Sequence, residues 1–510
     1  MFHSRQTKSD RYTSENSSDH NAAGNQEIGI EILRQLFQDN EDIIFTNISV
    51  KNNENMRITV IFVDGMVNSK MVDDDVLKPL VQEEILGKVK TEKALIDLIM
   101  DGAIYHCQRK LRDKLDDCVG DLLSGSAILV FDNAKAAVTF GLKGFEKRGI
   151  TEPTNENVLK GSKESFIEVL HVNTSLIRRR LQTSDLKINQ FNIGKRSQTT
   201  VSIVFIKNLA NQTIIDEVKQ RLHRVNIDGI ITAGQIETYL LDNKWSFFPQ
   251  ILYTERVDKF CANILEGRVG ILIDGLPIAY IVPVDISAFL QAPEDYALHY
   301  IPSSFFRFLR FVNSFASLTL PAFYISITTF HQEMIPTKLA ISIVQNKEGI
   351  PFPTFIEVVL MLLAFEVLLE AGLRLPKAIG QSVSIIGALV VGDAAITAKI
   401  LSPGVVIVIA AAGITGFIIP SQDMSNTIRL CRFLLVGFSI IGGLYGVSIG
   451  LILIVYHLCT LEVFGVPYLS PFVANEGKKI LTDTLIRIPW FKMKNRPQNI
   501  SPEDVNRQGG

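Results

Sequence analysis

The sequence predicts a multi-domain chain: a cytoplasmic α/β domain made of two related subdomains, followed by an all-α transmembrane domain of four to five helices. Three observations predict this fold class. About one residue in ten is charged between positions 301 and 475, against about one in four elsewhere. That stretch contains three uncharged segments long enough to cross a bilayer. Before it, two pairs of similar segments recur at a nearly constant spacing, which indicates a duplicated unit.

The predicted units follow the chain in order. They are a disordered polar N-terminus (1–26), a first α/β subdomain (27–150), a connector with a linker helix (151–184), a second α/β subdomain (185–300), a transmembrane helical domain (301–475) and a basic cytoplasmic tail (476–510). The first 26 residues lack the apolar segment of a secretory signal, so we expect the N-terminal domain to stay in the cytoplasm. The five cysteines are scattered without C-x-x-C spacing, which favours a reducing compartment.

The first subdomain alternates short β-branched runs with helical patterns. Strands are predicted at 43–50 and 57–63, a helix at 73–86, and a hairpin from 127–131 and 136–140. This alternation is typical of a mixed α/β domain.

An internal repeat connects this subdomain to the next at an offset of about 142 residues. The segment ITVIFVDGMVNSKMVDDDV, from Ile58, is echoed by TVSIVFIKNLANQTIIDEV, from Thr200. Likewise SGSAILVFDNAKAAV, from Ser124, is echoed by EGRVGILIDGLPIAYIV, from Glu266. Because both matches occur in the same order, we expect the two subdomains to share a fold, with 60–63 and 203–206 in equivalent positions.

Two polar features have structural interpretations. The Asp-Asn pair at 132–133 and the Asp-Gly pair at 274–275 each separate two apolar runs, as tight turns do because their backbone needs positive φ. The three arginines at 178–180 form either an anion or nucleic-acid patch or salt bridges between the subdomains. We favour salt bridges because the first 300 residues carry net negative charge.

Three uncharged segments, 311–330, 400–422 and 433–461, are predicted membrane spans, since each can cross a core of about 30 Å at 1.5 Å per residue. Two further apolar segments, 354–373 and 378–391, carry polar residues and are predicted to be buried among helices or to line water.

The direction of the helices follows from the basic residues. The tail after the last span is basic and therefore predicted to be cytoplasmic, which requires an even number of crossings. The segment 381–393 is predicted to be the broken or re-entrant one. This assignment places Arg429 and Arg432 on the outer side. Ahead of the first span, Arg307 and Arg310 stand three apart among aromatic residues, a pattern typical of an interfacial helix.

Acidic residues inside the helical domain are the candidate ion pathway or subunit contact: Glu357, Glu366, Glu370 and Asp393. At 100° per residue, Glu366 and Glu370 share one helix face, whereas Glu357 points about 180° away from Glu366. Glu366 and Glu370 either face water or a subunit contact, or pair with basic residues at 374 and 377 at the membrane edge. Charge removal at Glu357 is predicted to be the milder change.

Glycines recur every four residues at Gly442, Gly446 and Gly450, which predicts close helix packing. The segment GVSIG, from Gly446, fits the hydrolase pattern G-x-S-x-G, but it lies within an apolar helix pattern instead of a strand-turn-helix. No Walker A, H-E-x-x-H or G-x-G-x-x-G motif occurs. The sequence therefore predicts no enzyme, catalytic residue, cofactor or metal, and the absence of a strongly basic face predicts no nucleic-acid partner.

Several long stretches carry a family resemblance: EPTNENVLKGSKESFIEVLHVNTSLIRRRL, TERVDKFCANILEGRVGILIDGLPIAYIVP, QAPEDY, PFPTFIEVVLMLLAFEVLLEAGLRLPKAIG and VPYLSPF. On these residues the chain resembles, from about 27 to 472, the A subunit of the spore germination receptors of endospore-forming bacteria, the GerA family. The resemblance implies a multi-pass protein of the spore inner membrane, in contact with membrane lipid, whose two-part N-terminal domain is cytoplasmic. It also implies a permease-like B subunit and a lipoprotein C subunit as partners, and a homo-oligomer that forms a nutrient-gated cation channel. It carries no catalytic residues.

Three functions remain open from the sequence. The first is a ligand-gated cation channel subunit of a germinant receptor, which accounts for the acidic intramembrane residues. The second is a secondary transporter, although transporters show repeats in their membrane part and the repeat here precedes it. The third is a non-conducting scaffold that docks a permease-like sensor.

Overall fold

A computed structural model describes residues 27–50, 53–104, 108–144, 153, 156, 158, 160–374, 390–473, 483–496, 502–504, 506 and 507. The predicted disordered N-terminus lies outside these residues. So does most of the segment 381–393, for which a break was predicted.

Two five-stranded antiparallel sheets form the N-terminal part. The first consists of β1 (Ile43–Val50), β2 (Asn53–Val63), β3 (Arg109–Arg112), β4 (Ala127–Phe131) and β5 (Ala136–Phe140). The second consists of β6 (Leu186–Ile193), β7 (Thr199–Ile206), β8 (Leu252–Thr254), β9 (Val269–Ile273) and β10 (Ala279–Val282). Their orders, β1-β2-β4-β5-β3 and β6-β7-β9-β10-β8, are the same.

The pairing register is also the same in both sheets. Ile43 faces Val63 in the first sheet, and Leu186 faces Ile206 in the second, an offset of 143 residues in each strand. The predicted equivalence of 60–63 and 203–206 is therefore confirmed. Gly65 and Asn208 follow these strands with φ of +75° and +62°, a conformation that glycine and asparagine tolerate best.

A helix precedes each sheet and is capped by an aspartate from the sheet's hairpin. Asp132 Oδ1 accepts a hydrogen bond from the backbone N of Ile30, at the start of helix Ile30–Leu36. Asp274 Oδ1 accepts one from the backbone N of Leu170, at the start of the linker helix, Leu170–Arg180. Both aspartates thus have a structural role, and the linker helix takes the same place in the second repeat as Ile30–Leu36 takes in the first.

The remaining helices of this part flank the sheets. Those of at least seven residues are Glu92–Leu98, Leu115–Leu123, Gln212–His223, Ala233–Leu240 and Val257–Ile264. The helix predicted at 73–86 is instead four short pieces, Ser69–Met71, Val72–Leu77, Lys78–Gln82 and Glu84–Gly87. The run is interrupted at Glu83, whose backbone is extended (φ −73°, ψ 119°), while Pro79 lies in the first turn of Lys78–Gln82, where its missing N–H is tolerated.

In the described part of the chain, five helices of more than ten residues follow the second sheet. They are the first long helix (Tyr300–Thr329), a polar helix (Thr337–Lys347), the acidic helix (Thr354–Arg374), the short apolar helix (Pro403–Phe417) and the helical hairpin (Gln422–Thr460). By length and composition, two of them, the first long helix and the helical hairpin, could cross a membrane. The predicted span at 400–422 contains a helix of only 15 residues, which ends before Pro420. The number of crossings stays a prediction.

The helical hairpin is not one continuous rod. Gly443 has φ of +56° and ψ of −134°, which breaks the helix into two arms. A Cβ on Gly446 would lie 1.9 Å from the carbonyl oxygen of Phe438, and one on Gly450 would lie 2.6 Å from Leu435 Cδ2. Residues 15 apart in a straight helix would be separated by about 22 Å. The segment 433–461, predicted as a single span, therefore folds back on itself.

Both ends of the helical hairpin reach the same loop of the second sheet domain. Thr427 Oγ1 donates to the carbonyl oxygen of Phe247 at 2.7 Å, and His457 Nε2 lies 2.9 Å from Ser246 Oγ. Their position relative to a membrane stays a prediction, but Arg429 lies in the half of this arm nearer the sheets and Arg432 near its middle, not at the end away from the sheets where both were predicted. The single-span interpretation had placed them there, since it missed the turn at Gly443.

Candidate functional site at the junction of the second sheet and the helices

The three glutamates of the acidic helix lie in three different environments. Glu357 is fully buried, accepts a hydrogen bond from the backbone N of Ser402 at 2.7 Å, and lies 3.3 Å from Lys347 Nζ. Glu366 pairs with Arg429 of the helical hairpin at 3.0 Å, with 27% of its side chain exposed. Glu357 and Glu366 were predicted to lie on opposite faces of the acidic helix. They contact different helices: Glu357 contacts the start of the short apolar helix, and Glu366 contacts the helical hairpin.

Glu370 and Asp393 lie near the surface. Glu370 pairs with Arg374 one turn later, and its side chain is 60% exposed. Pairing with the basic residue at 374 is the alternative that the sequence left open for this glutamate. Asp393 is exposed, its backbone carbonyl accepts from Thr397 Oγ1, and its carboxylate makes no hydrogen bond or ion pair with another described residue. The structure does not bring Asp393 into contact with the glutamates.

The small residues of the helical hairpin have unequal surroundings. Gly446 and Gly450 lie where its two arms touch, and the close distances to Phe438 and Leu435 leave no room for a side chain. A Cβ on Gly442 would meet only Tyr445, at 4.0 Å. Gly443, which the four-residue spacing passes over, forms the turn.

Arg432 is a buried cation inside the helical region. It is 1% exposed, and its guanidinium donates to Ser317 O at 2.8 Å, Ser317 Oγ at 2.5 Å and Ala412 O at 3.1 Å. Within the described part of the chain no carboxylate pairs with it. These contacts join the helical hairpin to the first long helix and the short apolar helix.

The carboxylate of Asp295 is the centre of a second buried cluster, where the second sheet domain meets the first long helix. Asp295 is 2% exposed. Its Oδ2 accepts from Arg307 Nε at 3.2 Å and from Arg310 Nη1 at 2.9 Å, and its Oδ1 accepts from Arg310 Nη2 at 2.9 Å. Removing one partner of such a buried group leaves an uncompensated charge, so the cluster fixes the helix against the sheet domain.

The C-terminal segment completes this cluster. Asp483 Oδ1 accepts from Arg307 Nη1 at 3.0 Å and from Tyr296 OH at 3.2 Å. Arg487 Nη1 donates to the backbone carbonyl of Asp295 at 2.7 Å. Burial and the charge of Asp483 raise the pKa of Tyr296 above its usual range, so its hydroxyl stays a neutral donor. The described part of the tail thus lies at the same end of the helices as the second sheet.

The Asp295 cluster was not predicted as a site. Arg307 and Arg310 were interpreted as polar residues of an interfacial helix; both are buried against Asp295, and the position of the helix relative to a membrane stays a prediction. The available signal was two arginines one helical turn apart, placed shortly after the acidic QAPEDY stretch. Nothing local reveals that these groups meet, because Asp483 comes 176 residues after Arg307.

Comparison with known proteins decides the family. The family model described as Bacillus/Clostridium GerA spore germination protein matches residues 31–499. The chain belongs to the GerA family. It is 36% identical over 490 residues to the uncharacterized membrane protein YfkQ of Bacillus subtilis, covering 96% of this chain and 93% of that protein.

Two GerA relatives of Bacillus subtilis have names that refer to germination. Spore germination protein KA is 36% identical over 471 residues, covering 92% of this chain and 85% of that protein. Spore germination protein B1 is 35% identical over 479 residues, covering 94% and 98%. The solved N-terminal domain of the A subunit of the Bacillus megaterium spore germinant receptor GerK3 is similar at 23% identity and a TM-score of 0.40, over 51% of this chain and 96% of that domain.

Two of the stretches that carry the GerA resemblance contact each other. The carboxylate of Glu156, in the connector, accepts from Thr254 Oγ1 at 2.5 Å and from Lys259 Nζ at 2.6 Å. Arg256, which is 1% exposed, donates to the backbone carbonyls of Glu156 and Ser162. The connector is therefore held against the second sheet domain by buried polar contacts.

The arginines of the linker helix also act structurally in this GerA chain. Arg178 is fully buried and pairs with Asp42 of the first subdomain through two hydrogen bonds, at 2.7 and 2.9 Å. Arg179 and Arg180 both pair with Glu164 of the connector. The preferred interpretation, salt bridges between the subdomains, is confirmed for Arg178.

Proposed function

We propose that this chain is a membrane subunit of a spore germinant receptor and that it passes a nutrient-dependent signal between its sheet domain and its helices. Membership of the GerA family supports the receptor role, since most of the relatives it matches over nearly their whole length are spore germination proteins. The partners we propose are a permease-like B subunit and a lipoprotein C subunit. The site of action is the spore inner membrane.

The sheet domain and the tail are proposed to lie in the cytoplasm. The described tail carries Lys492, Lys494 and Arg496, and short basic segments stay on the inner side. Trp245, which is 95% exposed, lies in the loop that receives both ends of the helical hairpin. An exposed tryptophan at that level suits the boundary between bilayer and water.

Ion conduction is proposed to require several copies of the chain. Glu366 and Glu370 lie one helical turn apart and are both partly exposed, so copies of the acidic helix around an axis would form acidic rings. Such rings favour cations by electrostatics.

The observation that carries the coupling is the buried Asp295 cluster, and Asp295→Asn tests it. The substitution keeps the side-chain size but removes the charge that holds Arg307 and Arg310. In spores carrying the variant at normal abundance, we expect nutrient germination to be lost or slowed at least tenfold. Glu333→Gln, at a 75% exposed carboxylate, is the control and should germinate normally. Normal germination of the Asp295 variant would contradict the coupling role.

Conduction is tested with Glu366→Gln and Arg429→Gln, the two partners of one pair, in liposome flux measurements. If Glu366 supplies charge to an ion path, its neutralisation lowers cation flux, whereas neutralising Arg429 does not. If the pair is only a packing feature, both variants lose protein abundance alike and the double variant recovers it. Glu357→Gln serves as a folding control, since that buried carboxylate accepts the backbone N–H of Ser402.

A non-conducting scaffold is the second candidate, and the internal pairing of the glutamates favours it. Glu366 and Glu370 each have an arginine partner in the same chain, and Arg432 adds a buried positive charge to the helices. A scaffold predicts germination defects in the Asp295 variant without ion flux through the purified protein.

A further inference from the structure

A cavity of about 490 Å³ lies along the β3 edge of the first sheet. Its volume falls in the range of small-molecule sites, about 300–1,000 Å³. We call this cavity the Lys110 pocket, and its lining includes Arg109, Lys110, Asp121, Ser126, Gly141 and Lys143. None of its described lining residues has an apolar side chain, so a ligand that fits it must be polar.

The lining of the Lys110 pocket has an excess of positive charge. It contains three basic residues and one acidic residue, Asp121. The carboxylate of Asp121 is already engaged, because it accepts two hydrogen bonds from Arg112, at 2.8 and 3.3 Å, and one from Thr139 Oγ1 at 2.9 Å. Lys110 and Lys143 are both exposed, and within the described ranges neither forms an ion pair. The pocket therefore favours a negatively charged ligand.

The second copy fills the equivalent place with a side chain of its own. Ser126 directly precedes β4, and Arg268 directly precedes β9, the equivalent strand. Arg268 is 5% exposed, and its Nη1 donates to the carbonyl of Pro283, the equivalent of Gly141, at 3.2 Å. In the first copy the short side chain of Ser126 leaves this space open, and its hydroxyl makes no hydrogen bond with another described residue.

The two copies also differ in charge at this place. In the second copy Arg268 lies 3.8 Å from a carboxylate oxygen of Glu266 and 4.0 Å from one of Asp285. The first copy has Ser124 and Lys143 at the positions of these two acidic residues, so it lacks both carboxylates. A bound anion would supply in the first copy the negative charge that the second copy carries in its own side chains.

The kind of cation in the pocket indicates the kind of anion. Arg109 Nε donates to the carbonyl of Met100 at 3.0 Å, and its Nη1 donates to that of Ile104 at 3.3 Å. Its guanidinium is therefore already engaged and is not arranged for the bidentate recognition typical of carboxylates. Lys110 and Lys143 are the remaining cations of the lining, and lysine binds phosphate as a point charge.

We propose that the Lys110 pocket binds the phosphate group of a small dissolved molecule, with Lys110 and Lys143 as its cationic contacts and Ser126 as a hydroxyl donor. A phosphomonoester carries a charge of about −1.5 to −2 at neutral pH, which suits three basic residues beside one acidic residue. The two apolar clusters of the first sheet include no residue of the described helices after the second sheet, which favours a dissolved compound over a lipid headgroup. The proposal does not depend on the receptor function or on ion conduction.

The test measures thermal unfolding of the purified full-length protein in detergent, titrated with ribose 5-phosphate. Ribose is the uncharged control, sodium acetate is the carboxylate control, and sodium chloride at matched ionic strength corrects for screening. We expect ribose 5-phosphate alone to raise the transition temperature by about 2 °C or more at saturation. No rise, or an equal rise with ribose, acetate or chloride, would overturn the proposal. So would a rise only with micelles that contain phosphatidic acid, since that would indicate a lipid headgroup.

Three lysine variants locate the response. Lys110→Gln and Lys143→Gln should each weaken the apparent affinity for ribose 5-phosphate at least about tenfold, since each removes a charge-assisted contact. Both side chains are exposed, so neither change threatens folding. Lys93→Gln is the matched control, because that lysine is exposed in the same subdomain but does not line the pocket, and it should leave the affinity unchanged. Unchanged affinity in both pocket variants would show that the ligand binds elsewhere.

Ser126→Arg copies the second sheet into the first. The longer side chain should occupy the pocket, as the equivalent Arg268 occupies its place in the second copy, and abolish the response to ribose 5-phosphate. Chemical denaturation without ligand checks that the variant is folded. If the folded variant responds as the parent protein does, the proposed site is wrong. Should this variant fail to fold, the two exposed lysine variants decide between the outcomes.

Discussion

The two sheets share strand order and register, yet they are packed in different ways. The first sheet has an apolar cluster of its own on each face: Ile58, Val60 and Leu129 point into one, and Ile61 and Ile128 into the other. The apolar core of the second sheet continues without interruption into the helices, where it includes residues of the first long helix and the helical hairpin. The two copies thus share a fold, but only the second copy shares its apolar core with the helices.

The same acceptor position shows how the copies diverged. In the first sheet domain the carbonyl of Met66 accepts from the backbone N of Gly144, the continuation of the same subdomain. In the second, the equivalent carbonyl of Leu209 accepts from the backbone N of Glu503, in the C-terminal segment. At this position the second copy therefore pairs with a remote part of the chain, whereas the first pairs with its own continuation.

The largest expected effect is that of removing the ion pair between the linker helix and the first subdomain. Arg178→Ala leaves the carboxylate of Asp42 buried without its partner, which should lower the free energy of unfolding by about 3–5 kcal/mol. Chemical denaturation should then show the first sheet domain unfolding earlier than the second. Arg196→Ala, at an exposed and distant pair with Asp228, should stay within about 0.5 kcal/mol of the parent protein. Equal stability of the two variants would contradict the role of Arg178.

A medium effect tests how each copy fills the same space. A Cβ on Gly270 would lie 2.1 Å from Cζ of Phe260, whereas the equivalent positions of the first copy carry Ile128 and Cys118. In the second copy the large residue that fills this space is Phe260, on a helix. In the first copy it is Ile128, on a strand. Gly270→Ala should cost about 1–3 kcal/mol by overpacking, measured by chemical denaturation.

Copying the first sheet's pair should recover part of this loss. The double variant Gly270→Ile with Phe260→Cys should be more stable than the sum of its single variants predicts, because the two residues share one space. Gly234→Ala, where a Cβ meets nothing within 4 Å, is the control and should not destabilise. Additive single effects would show that the copies are not packed equivalently.

The smallest effect is a difference in acid sensitivity. Burial alone would raise the pKa of Asp121, but hydrogen bonds from Arg112 and Thr139 and the charge of Arg112 lower it below the usual value. Asn263 takes the equivalent place in the second copy: the backbone N of Ser126 donates to the carbonyl of Asp121, and that of Arg268 to the carbonyl of Asn263. The second copy therefore has no titratable group there.

A carboxylate with a lowered pKa stabilises the folded state above its unfolded pKa, and this contribution is lost as the pH falls through the folded pKa. As the pH falls below about 4, the ordinary pKa of an aspartate, the first sheet should therefore lose protection against hydrogen exchange sooner than the second. Asp121→Asn should remove that difference and cost less than about 1 kcal/mol at pH 7. An unchanged difference would assign the acid sensitivity to another group.

The sequence by itself determined the repeat, the strands and the turns. Apolar runs with β-branched residues and the turn-forming pairs at 132–133 and 274–275 are local signals, and local signals fix strands and hairpins. Because the same pattern recurs at an offset of about 142 residues, the second subdomain was expected to have the topology of the first, and the two strand orders agree.

Only the tertiary structure decided the turn at Gly443, the pairing of Glu366 with Arg429 and the Asp295 cluster. Gly443 stands among four other glycines of one apolar run, and periodicity does not distinguish a glycine that packs helices from one that reverses the chain. The ion pairs join groups that are far apart along the chain, 63 residues for Glu366 and Arg429. Such pairs depend on which helices lie side by side, and that is set by the packing of whole elements rather than by neighbouring residues.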